Sequence, residues 1–141
     1  MRILIINGPN LDKLGQRDSS QYGNKTLTDI KDEILSEFPN DEFEFYQSSI
    51  EGEIVDKINS IGNRFDGLVI NPGAYSHYSI AIHDALETCA IKKIEVHLSN
   101  LTKREDFRQN LLTARKCDAY ISGFKEKTYT IAVFSIKNYD L

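Results

Sequence analysis

The sequence predicts a doubly wound α/β fold, with five parallel strands in the order 2-1-3-4-5 between two layers of helices. Three observations predict it. Strand-like and helix-like stretches alternate along the whole chain, as helical crossovers between parallel strands require. Ile3-Leu4-Ile5-Ile6 and Leu68-Val69-Ile70 are unbroken apolar runs, the pattern of strands covered on both faces. Each runs directly into a polar cluster, Asn7-Gly8-Pro9-Asn10 and Asn71-Pro72-Gly73-Ala74-Tyr75-Ser76-His77. A third stretch, Ile94-Glu95-Val96-His97-Leu98-Ser99-Asn100, carries its polar groups inside the strand. Ligands of open parallel sheets bind outside the carboxyl ends of the strands. Three such ends bearing Asn, His, Glu and Ser read as three walls of one site, and the chain as an enzyme.

Residues 2–7 are the first strand. Residues 8–25, rich in Gly, Asn and Asp and without period, are expected to form a long loop. A loop of that length in a compact domain is most often a lid or binding segment. The expectation is therefore one domain over 1–141 with a mobile lid at about 15–25. Thr26 then N-caps a helix whose Leu27, Ile30, Ile34, Leu35 and Phe38 share a face, stopped by Pro39-Asn40-Asp41. Residues 43–47 alternate strictly, as a strand exposed on one face would. Ile54, Ile58 and Ile61 mark a helix over 51–63 closed by Gly62. Strand three covers 67–70, a helix 79–90, strand four 93–98, a helix 103–115 and a short strand 119–123. A last helix is predicted near 128–138, although Thr128, Tyr129, Thr130, Ile131 and Val133 also favour a strand. This is the flavodoxin-like arrangement.

At 141 residues the chain suits one domain with a real core, and its 40% apolar and 27% charged residues are ordinary for a soluble protein. A net charge of −4 offers no general attraction for nucleic acid or an anionic membrane. Cys89 and Cys117 form no CxxC pair and read as small, reduced, packed residues. The apolar start is too short for a signal peptide, and no run approaches the ~20 residues of a membrane span. A cytoplasmic protein is expected.

Glu95, His97 and Ser99 alternate, so they point to one side of strand four. A lone histidine there would read as a packed core residue. Paired with Glu95 at the carboxyl edge, His97 reads as a general acid whose tautomer Glu95 fixes. His77 follows the Asn71-Pro72-Gly73 turn, which lets backbone approach a ligand closely. Asp84, two helical turns later, lies near the same face and is a solvated charge unless His77 or a ligand hydroxyl reaches it. In the long loop, Arg17 beside Tyr22 would favour the phenolate and make Tyr22 a general base. Arg108 has the fork to bind a carboxylate bidentately. Gly8 and Gly15 make no phosphate loop, and no Cys or His cluster has metal spacing. A cofactor-free acid/base reaction fits this inventory.

Together these clusters resemble the type II 3-dehydroquinate dehydratases. The matching stretches are INGPNL (6–11), G-x-R-D with Tyr22-Gly23, QSS-x-EGE (47–53), NPGAYSH (71–77), EVHLSN (95–100) and REDFR (104–108). The resemblance spans about residues 1–110. It implies the reversible anti dehydration of 3-dehydroquinate to 3-dehydroshikimate through an enolate, in aromatic biosynthesis or quinate breakdown, without metal, cofactor or Schiff base. It further implies Tyr22 as base, Arg17 as its phenolate stabiliser, and Asn10 as the holder of the water on the enolate oxygen. His97, oriented by Glu95, would protonate the leaving hydroxyl, while Asn71, His77, Asp84, Leu98, Ser99 and Arg108 would bind substrate. Family members assemble as dodecamers, tetramers of trimers, so a homo-oligomer is implied. The chain departs from the family pattern at Gln109–Ala114, where His-Ser and a later Ser-Pro are common. It departs again at Gly123–Thr128, at Tyr78 and at His83.

Two other readings were open. A receiver would want acidic residues after strand one, where Asn7 and Asn10 stand, and a flavin or nucleotide binder would want N–H donors that Pro9 removes. A non-catalytic binder of a related polyol acid is countered by the intact Arg17, Tyr22 and His97.

Overall fold

The computed structural model describes residues 1–140. Its sheet has five parallel strands in the order β2-β1-β3-β4-β5, as predicted. They are β1 (Arg2–Asn7), β2 (Glu42–Gln47), β3 (Gly67–Asn71), β4 (Lys92–His97) and β5 (Ala119–Ser122). The helices are α1 (Ser19–Tyr22), α2 (Leu27–Glu37), α3 (Glu51–Asn59), α4 (Ile80–Thr88) and α5 (Lys127–Asn138).

Successive side chains of β1 and β3 go to opposite faces, and both faces are apolar. Strand β4 is apolar on one face, with Ile94 and Val96, and carries Lys93, Glu95 and His97 on the other. Ile3, Ile5, Val69, Ile94 and Val96 join Ile30 and Ile34 of α2 and Tyr129, Val133 and Ile136 of α5 in one core. Leu4, Ile6, Leu68 and Ile70 meet Ile54 and Ile58 of α3 and Ile82 and Leu86 of α4 in the other. Burial of each large aliphatic stabilises by about 1.5–3 kcal/mol before chain entropy is counted. Two separate cores hold the sheet rigid between them. The alternating strand, β2, lies at an edge, with Phe43 and Phe45 packed on the first core.

Thr26 caps α2 with a full capping box, in which Asp29 returns a bond to the Thr26 backbone. Leu35, predicted on the buried face, is 41% exposed, because it stands 100° round the helix from Ile34. Helix α3 ends at Asn59, earlier than expected, and Gly62 (φ 50°) serves the turn that follows. The 8–25 loop is partly ordered, with a 3₁₀ turn at Leu11–Lys13 and the short α1.

The predicted helix at 103–115 does not form. Three 3₁₀ turns stand there, Leu101–Lys103, Asp106–Gln109 and Thr113–Lys116. The segment has no apolar stripe to bury, and its polar groups bond elsewhere: Leu112 N–H to the Ser76 carbonyl, and the Asn110 amide to the His77 carbonyl. Helix α5 does form. Tyr129, Ala132, Val133 and Ile136 fall at helical spacing and are buried. Cys89 and Cys117 are free, and burial pushes both thiols up. Among the described residues no helix is long and apolar enough to cross a membrane.

Candidate active site

The turns after β1 and β3 touch backbone to backbone. Gly8 N–H donates to the Asn71 carbonyl over 2.8 Å, and a Cβ on Gly8 would lie 2.5 Å from the Pro72 carbonyl oxygen. Only glycine fits there. These turns, the end of β4 and the segment 17–22 enclose a small, partly open cleft of about 110 Å³. Asn10, Arg17, Tyr22, Asn71, His77, His97, Leu98, Ser99, Arg104 and Arg108 all line it. Local sequence puts them there. Leu11 and Leu14 are buried and tether the start of the loop, and Asp18 caps α1 by accepting from Ser20 N–H and Oγ–H. Those two bonds hold the Asp18 carboxyl below its usual range. Gly23 (φ 80°) ends the helix, leaving Tyr22 in its last turn facing the cleft.

On one side of the cleft two guanidinium groups converge on one phenol. Arg17 donates to Tyr22 Oη over 2.9 Å, and Arg104 does so over 3.0 Å. The Arg17 guanidinium carbon also sits 3.8 Å from the Tyr22 ring centroid, within cation–π range. Arg104 is held in turn by Ser99 Oγ and by Glu105, which also accepts from Arg108 Nε. Hydrogen bonds on this exposed carboxyl lower Glu105 to about 2.

On the other side are two histidines with nearly parallel rings, 6.3 Å apart between centroids. His97 donates Nε2–H to Glu95 Oε1 over 2.8 Å, leaving Nδ1 available to the cleft. Glu95 is wholly buried. His77 bonds through Nδ1 to the Asn110 carbonyl over 2.9 Å. A carbonyl only accepts, so Nδ1 carries the proton and Nε2 a lone pair. Burial pushes the His77 imidazole below the ordinary histidine range, against the opposing pull of that carbonyl.

Residues 1–137 match the family Dehydroquinase class II. The chain belongs to that family. A 3-dehydroquinate dehydratase from Clostridium perfringens is 48% identical over 142 residues, covering 99% of this chain and 97% of its own. One from Thermotoga petrophila is 47% identical over 140 residues, covering 97% of this chain and 95% of its own. The crystal structure of a type II dehydroquinase from Butyrivibrio crossotus superposes with a TM-score of 0.94 at 46% identity, over 98% of both chains.

Within this class II dehydroquinase the expected residues do not all share one place. Asn10 sits at the cleft wall in the left-handed region (φ 66°), with no capping bond on its side chain. Asn71 lines the cleft, but its amide is engaged: Nδ2 donates to Tyr129 Oη and Oδ1 accepts from Gly73 N–H. Glu95 stands behind His97 rather than in the wall. Asp84 departs most. It lies outside the cleft, exposed, with its carboxylate on His83 Nδ1 at 2.9 Å, and stands as the solvated charge that was the alternative to its meeting His77.

Arg104 was missed as a site residue, although it stands in the same REDFR stretch as Arg108. Nothing local in the sequence marks one of these arginines as turned toward Tyr22. Ser76 and Thr113, whose hydroxyls both donate to Glu95, were missed as well. An acidic residue inside a buried strand was the available signal, since such a carboxylate needs donors from its surroundings.

Proposed function

We infer that this chain is a type II 3-dehydroquinate dehydratase, a hydro-lyase that reversibly converts 3-dehydroquinate to 3-dehydroshikimate. One observation carries the mechanism: a tyrosine held by two arginines and a histidine backed by a buried glutamate line the same cleft. Tyr22 takes the proton alpha to the ketone. Negative charge on the phenol oxygen is met by Arg17 and Arg104. A water held by Asn10 stabilises the enolate oxygen, and preorganised donors at such a site supply most of the transition-state stabilisation. His97, oriented by Glu95, protonates the departing hydroxyl, which leaves as water.

Arg108 takes the substrate carboxylate. Its Nε is occupied by Glu105, while its two terminal nitrogens remain for a bidentate pair. His77 accepts from a substrate hydroxyl at Nε2, and Asn71, Leu98 and Ser99 complete the wall. Among the described residues no lysine lines the cleft, which supports a route without a Schiff base. Substrate binding draws the segment 15–25 down as a lid over a single domain, assembling base and arginines as water is expelled.

A role for Asp84 in substrate binding requires it to reach the cleft of a second copy. This fits the homododecamer, a tetramer of trimers, and α4 carries exposed Ile80, next to Tyr78, on which a partner could pack. The proposed setting is the cytoplasm.

The test follows ultraviolet absorbance of the conjugated enone as the purified protein meets 3-dehydroquinate, beside borohydride-treated protein and Tyr22→Phe. Turnover that survives borohydride and collapses in Tyr22→Phe is expected. A folded protein that binds substrate without forming product would leave a non-catalytic binding module, the reading the 3-dehydroquinate dehydratase relatives disfavour.

A further inference from the structure

Each oxygen of the Glu95 carboxylate is taken. Oε1 accepts from His97 Nε2–H at 2.8 Å and from Ser76 Oγ–H at 2.6 Å, and Oε2 accepts from Thr113 Oγ1–H at 2.5 Å. Ser76 and Thr113 are both fully buried. They come from two segments outside the sheet, one after β3 and one between β4 and β5. Those segments are laced together by Leu112 N–H to the Ser76 carbonyl (2.8 Å), by the Asn110 amide to the His77 carbonyl (2.8 Å) and by His77 Nδ1–H to the Asn110 carbonyl (2.9 Å). The strap 110–113 therefore reaches the backing group of one histidine and the ring of the other. It is also where this chain departs from the family pattern.

A buried carboxylate whose plane can turn would not hold an imidazole in one orientation. Here two hydroxyl hydrogens, one on each oxygen, fix the plane and leave one lone pair of Oε1 aimed at His97. Support of this kind, behind the group that acts, sets tautomer and ring direction.

We propose that Ser76 and Thr113 are positioning residues that fix Glu95 and thereby the Nε2–H tautomer of His97, while the Asn110 carbonyl holds His77 as the opposite tautomer. The two rings are thus set to different tasks by their partners. His97, backed by a carboxylate, presents Nδ1 to the cleft and can carry a second proton there. His77, backed by a neutral carbonyl, presents only a lone pair. The catalytic consequence rests on reading His97 as the acid of the dehydratase; the tautomers themselves do not.

The test is long-range proton–nitrogen correlation NMR of the intact protein labelled with ¹⁵N-histidine, beside steady-state kinetics. The chain has only three histidines, so a His83→Gln background leaves His77 and His97 to assign. Wild-type protein at neutral pH should show one ring protonated at Nε2 and the other at Nδ1. Thr113→Val, and separately Ser76→Ala, should mix the His97 tautomers and leave His77 as it was. Turnover should fall on the order of tenfold with KM little changed, the scale of one charge-assisted hydrogen bond. Thr113→Ser, which restores the hydroxyl, should recover both readouts. Two rings of the same tautomer in wild type would overturn the proposal. So would an unmoved His97 signature in both hydroxyl deletions, and Ser76→Ala decides alone if Thr113→Val does not fold. Opposite tautomers in a protein that forms no product from 3-dehydroquinate would uphold the positioning and sink the dehydratase reading instead.

Discussion

Tyr22 and Arg104 lie 82 positions apart in the chain, yet the Arg104 guanidinium donates to the Tyr22 phenol oxygen over 3.0 Å. The bond joins the loop segment carrying Tyr22 to the frame of the sheet, because Arg104 is itself anchored on Ser99 and Glu105. It also gives the phenol oxygen a second cationic donor. Arg104→Ala should therefore lower kcat by about 10²–10³-fold, the usual effect of removing one preorganised donor. Arg104→Lys should recover little, since a compact ammonium cannot reach Tyr22, Ser99 and Glu105 together. Steady-state kinetics of the enone signal measures both, and an unchanged kcat would leave Arg17 as the sole partner of Tyr22.

Arg17 meets Tyr22 both at the oxygen and across the ring face. These contacts matter most when the phenol oxygen carries charge, so Arg17→Ala should cut turnover far more than it weakens substrate binding. The double variant Arg17→Ala/Arg104→Ala should fall short of the product of the single losses, because both act on one oxygen. Normal turnover in Arg17→Ala would remove it from the mechanism.

His77 gives a pH signature of known sign. Burial lowers its folded-state value below the 6.5 of a free histidine. Between the two values the unfolded chain binds the proton and the folded one does not, so stability rises with pH in that window. The contribution is fully present above 6.5 and is lost as pH falls through the folded-state value. Chemical denaturation at pH steps from about 7.5 down to 5 should show less acid loss in His77→Asn than in wild type. Parallel curves would mean that His77 is protonated as readily in the folded chain as in the unfolded one.

The strands were legible because a strand buried on both faces needs an unbroken aliphatic run, which Ile3–Ile6 and Leu68–Ile70 supply. Helix α5 was legible through the spacing of Tyr129, Val133 and Ile136, in spite of β-favouring residues. The segment 101–116 was not, because its shape is set by bonds to distant groups. Asn110 and Leu112 bond to the 76–77 turn, and no local pattern encodes that. The site followed the same division. Tyr22, His97 and Glu95 were readable where short motifs place them at strand ends or in the loop. The partners that complete them, Arg104, Ser76 and Thr113, arrive from elsewhere in the chain. Asp84 stands exposed, as the solvated charge its helix position suggested, because spacing along a helix gives a face but not what that face meets.

Tyr129 offers the counterpart to Tyr22. Its hydroxyl is fully buried, donating to Asn7 Oδ1 over 2.5 Å and accepting from Asn71 Nδ2 over 3.1 Å. Burial holds it far above the usual phenol range, so it remains a neutral bridge. Asn7 and Asn71 are register partners at the ends of β1 and β3, and the turns that shape the cleft start from them. Tyr129→Phe leaves both amides short of a partner in the core, at a cost of about 1–3 kcal/mol. Urea denaturation should show that loss as a lower midpoint with an unchanged slope. Tyr22→Phe should do the reverse, keeping the midpoint and abolishing turnover. A Tyr129→Phe protein as stable as wild type would mean that the two asparagines bond each other, and that the strand ends do not need the bridge.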